Sequence, residues 1–253
     1  MSAFSLADHV IAAFAGAGAG AVNAIAGGGT LISFPTLVAL GAGRVSANVT
    51  NTVALCPGYL GGAVAQRSQL AGQRARLVRL SIAAALGGLA GSVLLLATGE
   101  AAFTKLVPWL ILLACALLGG QNYIRKWLGI GTRPHAAPSA IAVLATFVVS
   151  IYGGYFGAGL GIALLAVLGL VIDETLPRLN ALKQVLALVI NVVAACIFAG
   201  SGHVIWTLVA VMAPASLLGG IAGGKLVTRI KPSLLRGTVV TYGTVLAVYY
   251  LIR

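Results

Sequence analysis

Eight apolar runs constrain this chain more than any other feature. They fall at about 5–22, 49–65, 77–98, 106–124, 139–156, 179–199, 205–228 and 235–252. Each approaches or exceeds the ~20 residues that carry a helix across a bilayer. Only 8% of the residues are charged and 60% are hydrophobic, where a soluble domain carries about 25% charged residues. No water-facing surface can be built from that composition. A large soluble domain, a disordered chain and a disulfide scaffold are excluded. The reading is an all-α polytopic membrane protein whose main surroundings are lipid.

Two further apolar pieces, Leu31 to Leu40 and Leu160 to Ile172, are too short to span. At 1.5 Å per residue they reach only about 15–20 Å. Each follows a glycine cluster: Gly27-Gly28-Gly29 in one case, Gly157-Ala158-Gly159-Leu160-Gly161 in the other. Non-helical backbone at membrane depth survives only under a cover of protein or a water-filled cavity. Each cluster therefore predicts a helical hairpin broken inside the protein.

The two breaks point to an internal repeat. One gapless offset, the one that carries Gly27 onto Gly159, also carries Gly29 onto Gly161 and Asn48 onto Asn180. It lays Leu86-Gly87-Gly88-Leu89-Ala90-Gly91 on Leu218-Gly219-Gly220-Ile221-Ala222-Gly223 as well. Charge then sets the handedness. Residues 66–79 hold Arg67, Arg74, Arg76 and Arg79, while their partners at 198–211 hold no base. Residues 93–105 hold Lys105 alone, while their partners at 225–237 hold Lys225, Arg229, Lys231 and Arg236. Basic loops face the cytoplasm, so the halves are expected to be inverted. Counting each broken hairpin as two crossings gives five per half, an odd number that agrees with inversion. Two inverted-topology repeats follow, each a glycine-broken hairpin plus three transmembrane helices. The first is 1–124, the second is 139–253, and 125–138 is a cytoplasmic connection with Arg125, Lys126 and Arg133. Both termini are expected outside. Arg44, in a loop this scheme places outside, counts mildly against it. Met1 to His9 lacks a basic leader region, so the first run is expected to be a mature helix. Most of the net charge of +12 is thus a topological label, and nucleic acid is not an expected partner.

Inverted repeats with discontinuous helices are an architecture of secondary transporters, with the site near the midplane. At the first break, Gly27, Gly28, Gly29 and Thr30 precede a helix N-terminus, which offers N–H donors and a positive dipole end to an anion. The competing reading is close helix packing through small residues, which is preferred for Gly61-Gly62 and Gly87-Gly88. Polar groups within spans are expensive and often functional. Asn48, Asn51 and Thr52 share one helical face, as do their repeat partners Asn180, Lys183 and Gln184. Lys183 is the base least suited to an aqueous loop. It would either add positive charge to the anion site or snorkel to the cytoplasmic edge. Asn191, deeper in that helix, would serve a ligand or an interhelical hydrogen bond.

No carboxylate falls deep in an expected span. Asp8, Glu100, Asp173 and Glu174 are terminal or in loops, so a proton relay has no seat. His9, His135 and His203 lie near span ends. No Walker loop, GxSxG or HExxH is present, so no ATP motor and no enzyme is expected, and no cofactor or metal. Cys56, Cys115 and Cys196 lie singly in apolar runs and read as small buried hydrophobes.

The pattern Gly16-Ala17-Gly18-Ala19-Gly20, Asn23, Gly27-Gly28-Gly29, Pro35, Gly41 and Asn48-Val49-Thr50-Asn51-Thr52 resembles the sulfite exporter TauE/SafE family. The second break, Gly153-Gly154-Tyr155-Phe156-Gly157-Ala158-Gly159, is similar to that family's repeated motif. The resemblance covers nearly the whole chain. It implies a carrier that exports sulfite or an organosulfonate such as sulfoacetate across the bacterial inner membrane by alternating access. Carried over by motif, the substrate positions are Asn23, Gly27 to Gly29, Asn48, Asn51 and Thr52, with Gly157, Gly159, Gly161, Asn180, Lys183 and Gln184. An anion channel, an uptake carrier for a related oxyanion, or a membrane-embedded enzyme or assembly subunit are the alternatives. The motifs carry no information on the oligomeric state.

Overall fold

The computed structural model describes residues 4–127 and 139–226, and beyond them 237, 240, 241, 243–245, 247, 248 and 251. Arg133 and His135 of the expected connection, and Arg229, Lys231 and Arg236 of the second basic stretch, lie outside the described residues. Among the described residues eight α-helices run in chain order, with a short 3-10 turn at Arg67–Leu70 between the third and fourth: α1 (Leu6–Ile25), α2 (Thr30–Ala39), α3 (Arg44–Ala65), α4 (Arg74–Trp127), α5 (Ser139–Tyr155), α6 (Leu160–Val171), α7 (Leu176–Ala199) and α8 (Trp206–Leu226). The described positions from 237 to 251 are helical too, and the described residues contain no strand.

The expected runs map closely onto these helices. The two short pieces become α2 and α6. The runs 77–98 and 106–124 become the two limbs of α4. At 54 residues, α4 would measure about 80 Å if straight, against a hydrocarbon core of about 30 Å. The limbs meet at Gly99, whose φ of 67° is not helical. Among the described residues three helical stretches are individually long and apolar enough to cross a bilayer: Arg74–Gly120, Leu176–Ala199 and Trp206–Leu226. The other expected spans fall on α1, α3, α5 and the partly described stretch 235–252.

Helix ends follow from local chemistry. Ser5 caps α1 in a capping box: its hydroxyl accepts the Asp8 N–H at 3.2 Å, and the Asp8 carboxylate accepts the Ser5 N–H at 2.8 Å. Gly43, before α3, has no side chain to cap with. The Glu100 carboxylate does so from the Gly99 corner, accepting the N–H groups of Arg44 and Val45 at 2.8 and 3.1 Å. An anion at a helix N-terminus is favourable. Arg44, expected in a loop, is thus the first residue of α3, with its guanidinium donating to the Thr104 carbonyl at 3.2 Å.

Glycines set the helix crossings. In the α1–α8 pair, Gly16 meets Met212, Gly20 meets Ser216, and Gly223 meets Ala21. In the α4–α5 pair, Gly87 meets Phe147 and Gly91 meets Ile151. In both pairs the residue numbers rise together, so the helices run parallel. Packing is the role of Gly87 and Gly88, as expected; Gly61 likewise meets Leu217 and Ile221 of α8.

α1 and α8 begin at one end of the molecule, where the Ile205 N–H donates to Thr50 of α3 at 2.9 Å. α4 and α7 begin at the other. There Glu174 pairs with Arg76 at 3.1 Å and with Arg178 at 2.6 Å, and Arg178 donates to the Ala71 carbonyl at 3.0 Å. Burial works against ionisation of Glu174, but hydrogen bonds from Arg178 and Arg76 outweigh it and hold its carboxyl below the usual glutamate range. Arg178 sits in the first turn of α7.

The offset that superposes the glycine breaks in the sequence also carries the start of α3, Arg44, onto the start of α7, Leu176. It carries the start of α4, Arg74, onto the start of α8, Trp206. The cysteines differ from expectation. All three are free, but only Cys115 is buried; Cys56 is half-buried and Cys196 is exposed, because α7 turns that face outward.

A Cβ at Gly220 would strike the Gly58 carbonyl of α3, a backbone group that cannot swing aside. A Cβ at Gly18 of α1 would meet nothing within 4 Å. Gly220→Ala should therefore cost about 1–3 kcal/mol by overpacking. Gly18→Ala should be neutral or slightly stabilising. Thermal unfolding midpoints of the two variants in detergent check this, and equal midpoints would contradict the packing account.

Candidate functional site

The two breaks lie against each other. α1 closes with the N–H groups of Ala26 and Gly27 both on the Val22 carbonyl, at 2.7 and 2.9 Å. Gly27 then turns the chain with φ 87°. The second break repeats the device. Phe156 and Gly157 both donate to the Tyr152 carbonyl at 3.0 and 3.2 Å, and Gly157 and Gly159 have φ 75° and 70°. Such torsions favour glycine. A Cβ on Gly27 would lie 2.7 Å from the Gly161 Cα, and one on Gly161 would lie 2.6 Å from the Gly27 Cα. Gly28 faces Leu118, and a Cβ on Gly29 would strike the Ala19 carbonyl. The Gly29 N–H, a candidate anion donor, is used internally: it donates to Asn23 Oδ1 at 2.7 Å.

Amides of two helices serve the ends of two others. Asn48 of α3 donates to the Tyr155 carbonyl at the end of α5, at 3.0 Å. Asn180 of α7 donates to the Ala24 carbonyl at the end of α1, at 3.4 Å, and to Gln66 Oε1 at 2.6 Å. Lys183 donates from Nζ to the Asn23 carbonyl at 3.3 Å. The last carbonyls of a helix have no donor within it and carry its negative end. Asn180 and Lys183 supply donors there.

Lys183 is 1% exposed and does not snorkel. All four carboxylates of the chain are described, none of them is buried, and none pairs with it. The buried amides of both breaks have unused capacity. Asn23 Nδ2, Asn48 Oδ1, Asn51 Oδ1 and both polar atoms of Gln184 lack a hydrogen-bond partner among the described residues. Asn51 reaches Thr30 Oγ1 only at 3.5 Å. A buried polar group without a partner costs roughly 1–3 kcal/mol, so this density of open donors and acceptors needs an explanation.

Thus Asn23, Gly27, Gly161, Asn180, Lys183 and Gln184 come together at the end of α1. Asn48, Asn51 and Thr30 adjoin through Gly29. Two expected residues are less engaged. Thr52 turns its hydroxyl onto the Asn48 carbonyl of its own helix at 2.9 Å, and Gly157 is only half-buried. Asn191 likewise bonds its own helix, at the Ala187 carbonyl. Sequence reasoning missed three neighbours. Gln66, beside Arg67, read as the start of a basic loop, yet it is 5% exposed and holds Asn180. Gly62 read as pure packing, yet it lies against the Gln184 amide. Tyr155 offers only its backbone carbonyl, which no side-chain pattern signals. Among the described residues no cluster of His, Cys, Asp or Glu could hold a metal. The site offers a buried lysine amine and open amides.

Asn180→Leu would strip donors from the Ala24 carbonyl and Gln66, so it should cost about 1–3 kcal/mol. Thr52→Val removes only a bond within its own helix and should cost clearly less. Unfolding of the two variants in detergent gives the comparison; equal losses would sever the link between Asn180 and the end of α1.

The sulfite exporter TauE/SafE family profile matches residues 12–250. A probable membrane transporter protein of Haemophilus influenzae is 28% identical over 224 residues, covering 87% of this chain and 85% of the relative. The probable membrane transporter protein YfcA of Escherichia coli K12 is 24% identical over 239 residues, covering 90% and 84%. No solved structure matches the chain significantly. With the family match spanning both breaks and nearly the whole sequence, this chain belongs to the sulfite exporter TauE/SafE family.

Proposed function

We propose that this chain is a secondary transporter that exports a small sulfur oxyanion, sulfite or an organosulfonate, across the cytoplasmic membrane by alternating access. One observation carries the reading: a fully buried lysine on the Asn23 carbonyl, paired with no carboxylate, beside the amides of Asn23 and Gln184, which have open donors. A buried ammonium without a counter-charge is costly. An oxyanion supplies that charge and accepts from Lys183 Nζ, Asn23 Nδ2 and Gln184 Nε2 together. Charge-assisted hydrogen bonds of this kind are about twice as strong as neutral ones. The substrate positions are drawn from those named in the sequence, with Asn23, Lys183 and Gln184 at the centre and Asn48 and Asn51 adjoining.

The architecture we infer is two inverted repeats, residues 1–124 and 139–253, with both termini outside. Three facts support it. The starts of α3 and α7, and of α4 and α8, recur at the offset of the glycine breaks. The α1–α8 and α4–α5 crossings are parallel pairs of corresponding helices. α3 ends at the end of the molecule where α7 begins. The two repeats would rock about the Gly27–Gly161 contact, exposing the anion to one side and then the other.

Moving one negative charge outward gains about 2.3 kcal/mol per 100 mV when the cytoplasm is negative. With no buried carboxylate to carry a proton, export would run on the potential. In proteoliposomes, sulfite flux should follow an imposed potential. Lys183→Met should lower apparent sulfite affinity at least tenfold, the ~1.4 kcal/mol of one charge-assisted bond. Flux that ignores the potential and follows a pH gradient would overturn uniport, and unchanged affinity would remove Lys183 from the site. Currents far above carrier turnover would favour an anion channel.

A further inference from the structure

A second feature lies on the outer face of the bundle, away from Lys183. Arg79, Ile82, Ala83 and Leu86 of α4 follow the i, i+3, i+4, i+7 spacing of one helical stripe. The stripe 140, 143, 144, 147 of α5 faces it, and between the two runs an open groove of about 520 Å³. Its walls are apolar except at one end. Ile82, Leu86 and Leu144 are 59%, 55% and 64% exposed, so the groove opens to the bundle surface. Arg79 stands at the mouth, where α4 leaves the basic loop 66–79. It is exposed and forms no ion pair among the described residues, unlike Arg76 and Arg178, which share Glu174. No carboxylate lines the groove.

We propose that this groove is a binding site for one anionic phospholipid, with an acyl chain along the α4–α5 stripe and its phosphate on Arg79. Three observations point to this occupant. The walls are apolar and exposed, and α4 is long and apolar enough to cross a bilayer, so a lipid chain is the partner that fits them. The groove runs along the helix axes for seven residues, about 10 Å, a slot for a linear chain rather than a compact solute. The single unpaired cation sits at its polar end, where a headgroup lies. Arginine also matches phosphate geometry with two parallel N–H donors. Lipid here would brace the α4–α5 pair, which is packed through Gly87, Gly91 and Gly154 and adjoins the second break.

The test uses the full chain, delipidated in detergent. Phosphatidylglycerol and phosphatidylcholine with identical acyl chains are added separately, and bound lipid is counted by native mass spectrometry. Phosphatidylglycerol should be retained about fivefold better than phosphatidylcholine, the usual contribution of one basic residue near a membrane surface. Arg79→Gln should abolish that preference, and Leu144→Trp, which fills the groove, should reduce retention of both lipids. Arg67→Gln, on the same basic rim but outside the groove, should leave the preference intact. Equal loss in Arg67→Gln would mean diffuse basic attraction and overturn the site. So would a preference that survives Arg79→Gln, or retention that survives Leu144→Trp. Cross-linking of Leu144→Cys between two copies, undiminished by added phosphatidylglycerol, would show that a second chain covers the face and would also overturn it.

Discussion

The architecture depends on one constraint: backbone that leaves a helix inside a bilayer must have its polar groups covered. Among the described residues the chain breaks at 26–29 and at 156–159 and lays these two breaks against each other. Only glycine permits the approach of Gly27 to Gly161, since either Cβ would lie under 3 Å from the facing Cα. The covering is reciprocal. Asn48 of α3 serves the end of α5, and Asn180 with Lys183 of α7 serves the end of α1. Polar side chains within the spans are therefore first a structural necessity of the breaks. The same groups become a binding surface only where they exceed what the helix ends consume.

That surplus can be located. Asn48 gives its Nδ2 to Tyr155 and keeps an open Oδ1. Asn23 takes the Gly29 N–H and keeps an open Nδ2. Gln184 spends neither of its atoms among the described residues. Lys183 spends one of three ammonium donors on a carbonyl at 3.3 Å. The open capacity is largest where the cation is, beside the end of α1. Structural capping alone would not require a charged residue there, because Asn180 already reaches the Ala24 carbonyl.

Much of this was legible in the sequence. Long apolar runs fixed the helices, since in a membrane the backbone has few other choices. Glycine clusters followed by pieces too short to span fixed both breaks, because length is a hard limit. Asn48, Asn180 and Lys183 stood out because polar atoms at that depth are costly. Other contacts were illegible for definite reasons. Which N–H groups a break consumes depends on tertiary contacts, so Gly29 read as an anion donor although Asn23 occupies it. Gln66 was hidden by the arginines beside it, and the burial that reveals it comes from α7 folding back over the end of α3. Glu100 read as a loop acid because its target, the start of α3, lies 56 residues earlier.

Positions that the repeat offset brings into register share a backbone role but not a chemistry. Lys183 corresponds to Asn51, Tyr155 to Asn23, Phe156 to Ala24 and Phe34 to Ala166. At the end of α5, Phe34, Phe103 and Phe156 pack edge to face with centroids 5.3 to 6.4 Å apart, and Tyr155 leans on Phe103 at 5.8 Å. At the end of α1 stand instead the amides of Asn23 and Asn180 and the side chain of Lys183. One break is therefore sealed by apolar bulk, and the other by groups that water or an anion can replace. On the proposed reading the anion rests against the polar break, and the barrier on the other side is hydrophobic. Opening that side means parting aromatic rings, each of which buries about 150–250 Å². Opening the polar side means exchanging hydrogen bonds for others of similar strength. The two half-cycles of transport would then face different barriers, although the backbone treats the two ends alike.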